Sequence, residues 1–142
     1  YQVFECSDGH IIIATGNDQQ YQKLCEILQC PEQATDPKYE TNAMRVENRC
    51  ELDEALSQKT KKWEKVKLLK QCEANGIPAG PINSLDEVFA DQQIIHRGME
   101  LSLEGIPSVR SPIKFSESEL VLNKPSPKLG EHNSIFFPNN LK

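Results

Sequence analysis

The tripeptide Ser7-Asp8-Gly9, set between two runs rich in β-branched and aromatic residues, constrains this chain more than any other feature. Residues 2–6 (QVFEC) and 10–15 (HIIIAT) have strand composition, and the Asp-Gly pair between them supplies the backbone freedom of a tight hairpin turn. The two runs are expected to pair as an antiparallel hairpin close to the start of the chain.

Helical periodicity follows the hairpin. After Gly16, Asn17 or Asp18 can cap a helix whose apolar positions Tyr21, Leu24, Cys25 and Leu28 share one face, with Pro31 as its stop. Residues 43–57 read as a second helix burying Val46, Cys50, Ala55 and Leu56. Thr60 is placed to cap a third helix running to Asn75, ended by Gly76 in left-handed geometry. Ile77 to Asn83 (IPAGPIN) holds two prolines around a glycine and reads as a stiff, irregular turn. Ser84 and Glu87 then form a capping box for a short helix through Val88 and Phe89. Residues 99–103 and 108–115 carry enough Leu, Val, Ile and Phe for two strands joined through Gly105 and Pro107, and 116–128 is expected to run extended over a surface. Strand runs and helix runs without a regular alternation make the fold class α+β, with antiparallel hairpins and three to four helices.

Composition narrows the function classes. With 142 residues, 37% of them hydrophobic, and a mean hydropathy of −0.56, the chain can bury one modest core. Lys and Arg number 16 against 21 Asp and Glu, a formal charge of −5, and the locally basic stretch Lys59–Lys67 reads as a solvated helix face, so no nucleic-acid partner is expected. Five cysteines at 6, 25, 30, 50 and 72 form no CxxC pair, and the histidines stand alone at 10, 96 and 132, so no metal site is expected. Reduced thiols in a cytosol-like compartment fit that pattern, with Cys25 and Cys72 buried on apolar helical stripes. No apolar run approaches the roughly 20 residues a bilayer span requires, and nothing near Tyr1 resembles a signal peptide, so no membrane partner is expected. The chain opens at Tyr1, without Met and inside a strand-like run, which suggests a piece of a longer protein whose targeting signal lies elsewhere.

Common catalytic signatures are absent: no GxSxG, no HExxH, no glycine-rich phosphate loop. The residues read alone give an α+β domain without an assigned chemistry.

A set of phrases in fixed order goes further. Phe4 to Gly9 with Ile11 to Ile13 is followed by Gly16-Asn17-Asp18, then Thr41-Asn42 with Arg45-Val46 and Asn48-Arg49. Next come Thr60-x-x-Trp63, Gly76-Ile77-Pro78 with Gly80-Pro81-Ile82-Asn83, and Val88-Phe89 with Asp91 and Gln93. Arg97-Gly98-Met99, Ser111 to Ser116 and Leu129-Gly130-Glu131-His132 complete it. Together these resemble the C-terminal region of the family III CoA-transferases of CaiB/BaiF type, the group that includes formyl-CoA and carnitine CoA-transferases.

The resemblance implies that residues 1–115 are the small domain of a larger two-domain α/β enzyme, and that 116–142 return to a large domain outside this chain. In that family a Rossmann-like large domain bears an aspartate that attacks the acyl thioester, so coenzyme A thioester is the parent's substrate, with no covalently bound cofactor. The catalytic aspartate would lie upstream of Tyr1, and the chain alone would be inactive while contributing one wall of the active site. Interlocked homodimers and a cytoplasmic location are implied, or an organelle matrix if the parent carries a targeting signal. By the same resemblance Tyr1 lies near the acyl group, and the corner at Asn17 and Asp18 approaches the catalytic residues. Their plainer readings are an edge-strand aromatic for Tyr1 and helix capping for Asn17 and Asp18. His132 reads as a polar helix-start residue, and His10 and His96 as surface or strand residues.

Two other readings stay open: a 2-methylacyl-CoA racemase of the same architecture, against which the Gly16-Asn17-Asp18 corner speaks, and a free-standing binding module without chemistry. The pattern also departs from the family near its end. There Ser134 to Phe137 run into Pro138, which ends a helix early, so the last ten residues are expected to diverge, through truncation or an altered reading frame.

Overall fold

The computed structural model describes residues 1–137, and the chain divides into two units between Asn83 and Ser84. Of the last ten residues, where divergence is expected, 133–137 are described and 138–142 fall outside the described residues.

In the first unit, β1 (Gln2–Cys6) and β2 (Gly9–Ile13) form the expected antiparallel hairpin, with Cys6 opposite Gly9 and Phe4 opposite Ile11. The turn residues are Ser7 and Asp8, and Gly9 opens β2 at φ +149, a conformation that L side chains rarely adopt. A third strand, β3 (Ala79–Ile82), pairs antiparallel with β2 and places Ala79 opposite Ile13 and Pro81 opposite Ile11. The segment expected to be an irregular turn is thus a strand. It lies at the edge of the order β1-β2-β3, where proline's missing N–H leaves no ladder bond unmade on a neighbour.

One face of this sheet is apolar because period-two alternation puts Phe4, Cys6, Ile11 and Ile13 on it, all buried. Helix α1 (Asp18–Ile27) contributes Tyr21, Leu24 and Cys25 to the same core. Helix α1 ends before Pro31, at the Leu28 cap, and Pro31 instead opens the short α2 (Pro31–Thr35), whose first turn has no use for its absent N–H. A 3₁₀ turn at Pro37–Tyr39 leads into α3 (Asn42–Glu47), capped by the Thr41 hydroxyl, and then α4 (Arg49–Thr60).

The single helix expected over 43–57 is therefore two, broken at Asn48. That break resets the helical phase. Val46 and Cys50 are exposed, Leu56 is buried as expected, and Arg45 and Leu52 are the other buried positions. Thr60 ends α4 rather than capping the next helix, and its hydroxyl donates to the Glu5 carbonyl at 2.8 Å. Helix α5 (Lys65–Ala74) begins five residues later and buries Leu68 and Cys72, and Gly76 follows it at φ +68 as expected.

The second unit contains α6 (Leu85–Ala90), with the Ser84/Glu87 capping box in place, and a further helix α7 (Gln92–His96) that periodicity did not reveal. Strands β4 (Glu100–Leu103) and β5 (Ile106–Val109) pair through a Glu104-Gly105 turn, so the second strand covers 106–109 and not 108–115, with Pro107 inside it. Residues 110–128 form no helix or strand, and α8 (Asn133–Phe136) starts after His132. The described residues thus form eight short helices and two antiparallel sheets, an α+β fold.

Candidate functional site

The corner between β2 and α1 is built by reciprocal hydrogen bonds. The Asn17 side-chain oxygen accepts from the Gln20 backbone N–H at 2.9 Å, and the Gln20 side chain accepts from the Gly16 N–H at 2.9 Å. Gln20 also donates from Nε2 to the Gly76 carbonyl at 2.9 Å, tying the corner to the end of α5. Asn17 thus caps the helix, as its plainer reading held.

Asp18, the first residue of α1, is left with a different task. Its Oδ1 accepts from Arg45 Nη2 at 2.6 Å, while the carboxylate side chain remains 54% exposed. Arg45 is only 6% exposed. Its Nη1 donates to the Tyr39 carbonyl at 2.9 Å and to the Glu40 carbonyl at 3.3 Å, and its guanidinium lies 4.6 Å from the centroid of the Tyr21 ring. Charge-assisted bonds, a carbonyl fork and an aromatic face together compensate the cost of burying that charge. The Tyr21 phenol, pushed well up by burial, donates to the Gln33 carbonyl at 2.9 Å and keeps the ring in place under the guanidinium.

Tyr1, 84% exposed, stands at the rim of a cleft of about 200 Å³. Phe4, Ile13, Leu24, Leu52 and Leu56 make its apolar floor, and Arg45, Arg49 and Asp53 lie along its polar side. Arg49 donates from Nη2 to the Gln2 side chain at 2.6 Å and from Nε to Asp53 at 3.2 Å, fixing the rim across β1 and α4. Asn17 and Asp18 do not line this cleft. Arg45 connects the two places, since it lines the cleft and grips Asp18.

Sequence reasoning missed Arg45 and Arg49 as members of this constellation. The Thr41-Asn42-x-x-Arg45 phrase was visible, but a charged residue on a short helix carries no periodic signal that it is buried. Among the described residues no group of three His, Cys, Asp or Glu side chains can hold a metal ion, and no helix is long and apolar enough to cross a membrane. Burial raises the thiol of Cys72 to about 11, with the neighbouring Cys6 adding to the effect.

The family model described as CoA-transferase family III matches residues 1–133. A succinate–glutarate CoA-transferase of Agrobacterium fabrum is 46% identical over 139 residues, covering 94% of this chain and 35% of that protein. A succinyl-CoA:glutarate CoA-transferase of Homo sapiens is 38% identical, covering 94% of this chain and 32% of that protein. The crystal structure of a CAIB/BAIF family protein from Brucella suis superposes with a TM-score of 0.82 at 45% identity, covering 96% of this chain and 36% of that one. The chain spans about a third of the length of the relatives it matches.

Proposed function

This chain belongs to CoA-transferase family III, and we propose that it is the small domain and part of the closing segment of an acyl-CoA:carboxylate CoA-transferase, contributing one wall of the active site. The observation that carries the reading is its 46% identity to a succinate–glutarate CoA-transferase over 94% of this chain. Small dicarboxylic acids are accordingly the proposed CoA acceptors, and their CoA thioesters the proposed donors. In this proposal residues 1–115 are the small domain, and 116–142 return to a large domain that supplies the nucleophile.

That large domain is the proposed partner within the same protein. The second unit buries none of its large apolar side chains among the described residues, and Leu85, Val121 and Leu129 are 78, 80 and 107% exposed. Side chains of this kind gain their burial against another body. A homodimeric parent acting in the cytoplasm, or in an organelle matrix, completes the proposal.

The chemistry proposed for the parent is covalent carboxylate catalysis. An aspartate of the large domain attacks the thioester carbonyl, CoA thiolate leaves, and an acyl-aspartyl anhydride remains. The thiolate then attacks the aspartyl carbonyl, releasing the donor acid and leaving aspartyl-CoA, and the acceptor acid reverses the two steps. The Agrobacterium fabrum and Homo sapiens relatives are named CoA-transferases, and the corner carries Asp18, so the racemase reading gains no support. Neither does the free-standing module.

The test is trapping. The full-length protein is incubated with succinyl-CoA, treated with hydroxylamine or borohydride, and mapped by peptide mass. A modified aspartate upstream of Tyr1 supports the proposal. No adduct, together with α-proton exchange into a 2-methylacyl-CoA, would move the parent to racemase chemistry.

A further inference from the structure

The turn that closes α1 brings two cysteines together. Leu28 caps the helix, Gln29 adopts φ +55, and the chain folds back so that the Cys30 backbone N–H donates to the Cys25 carbonyl at 2.9 Å. Standard bond lengths across that hydrogen bond hold the two Cα atoms at most about 6.8 Å apart, and disulfides span roughly 4.4–6.8 Å. The Cys30 Sγ turns the same way and donates to the same carbonyl at 3.5 Å. Both side chains are fully buried.

The two thiols also hydrogen-bond each other, and their surroundings set them apart. That bond is the largest influence on Cys25 and holds its thiol below the ordinary value, with burial opposing it and the Tyr21 hydroxyl and the Arg45 charge adding to it. The same bond, together with burial, pushes the Cys30 thiol up. Cys6 and Cys72 are neighbours in the core as well, but burial raises both of their thiols.

We propose that Cys25 and Cys30 form an oxidation site, a dithiol that a peroxide converts to a disulfide across the end of α1. This site stands independently of the proposed transferase chemistry. Cys25, as the thiolate, attacks one peroxide oxygen and the O–O bond breaks. The departing hydroxide takes up the proton that Cys25 gave and leaves as water, and Cys25 becomes a sulfenic acid. The Cys30 sulfur then attacks the Cys25 sulfur, the S–O bond breaks, and the Cys30 proton goes to the departing oxygen, which leaves as a second water. Two thiols lose two electrons, and one peroxide is reduced to two waters. Peroxide reaches the pair through opening of the α1–α2 turn, where the short α2 has no side-chain cap.

Trypsin cuts after Lys23 and Lys38, so both cysteines fall on one peptide, 24–38. The experiment treats the folded full-length protein and its C50S variant with hydrogen peroxide, blocks the remaining thiols with N-ethylmaleimide in denaturant, and maps peptides by mass with and without dithiothreitol. The expected result, in both proteins, is that peptide 24–38 loses two hydrogens and takes up no maleimide, while Cys6 and Cys72 are labelled in full. Dithiothreitol restores two maleimide sites to the peptide. Maleimide on both Cys25 and Cys30, at a peroxide dose that fully oxidises Cys50 in the wild type, overturns the inference. So does a sulfinic acid at Cys25, a bridge from Cys25 to any other cysteine, or a disulfide that forms only in urea, where the native turn is gone. Formation in the wild type and not in C50S overturns it too, because the pair would then be oxidised through an exposed thiol.

Discussion

Asp8, in the turn of the first hairpin, accepts the Lys65 backbone N–H through Oδ1 at 2.6 Å, 57 residues further along the chain. The turn of the hairpin is thus the cap of α5, whose own preceding residue, Glu64, makes no capping bond. Asp8→Ala is expected to lower unfolding stability by about 1 kcal/mol, the usual cost of a lost cap, and Asp8→Asn by less. Urea denaturation of the chain checks both, and equal stability for Asp8→Ala and the parent chain would contradict the cap.

Thr60 provides a second long-range tie. Its fully buried hydroxyl bonds the Glu5 carbonyl, so Thr60→Val leaves a polar group unmatched and should cost about 1–3 kcal/mol, while Thr60→Ser keeps the bond. The comparison of the two variants by denaturation separates the hydroxyl from the methyl group.

Packing gives a sharper contrast. Leu68, with no exposed surface, is expected to cost about 2–5 kcal/mol on truncation to alanine. Val46, 66% exposed, should cost no more than about 0.5 kcal/mol on the same change. A large loss at Val46 would restore the continuous helix that its spacing suggested.

These three cases also mark what the sequence made legible. The hairpin, the Ser84/Glu87 box, the Gly76 stop and the burial of Cys25 and Cys72 could be read because each follows from neighbouring residues. Strand β3 could not, since Ala79-Gly80-Pro81-Ile82 has poor strand propensity and is held by its register with β2. The break at Asn48 hid the buried face of α3 and α4 behind one assumed helical phase. For the candidate site, Tyr1, Asn17 and Asp18 were named from resemblance, but the contact that joins the corner to the cleft spans Arg45 and Asp18, and no local pattern announces it.

The thiols give a pH dependence with a definite sign. Burial raises the Cys72 thiol from its ordinary 9.0 to about 11, so folding favours the protonated form. That contribution is fully present below pH 9 and is lost as pH rises toward 11, amounting to roughly 2–3 kcal/mol. Stability should fall across that window in the parent chain, and less steeply in Cys72→Ala. Under native conditions near neutral pH, maleimide should label exposed Cys50 well before Cys6, Cys25, Cys30 or Cys72. Peptide mass mapping reads the order, and early labelling of Cys72 would contradict its burial.

The proposed function makes this chain, a member of CoA-transferase family III, part of an enzyme that moves CoA between small dicarboxylic acids. The most direct measurement incubates the full-length protein, and separately residues 1–142, with succinyl-CoA and glutarate, and follows glutaryl-CoA and free succinate by mass spectrometry. The account predicts equal amounts of both products from the full-length protein and none from residues 1–142 alone. Product from the short chain, or its absence from the full-length protein with every small dicarboxylic acid tried, would contradict the account.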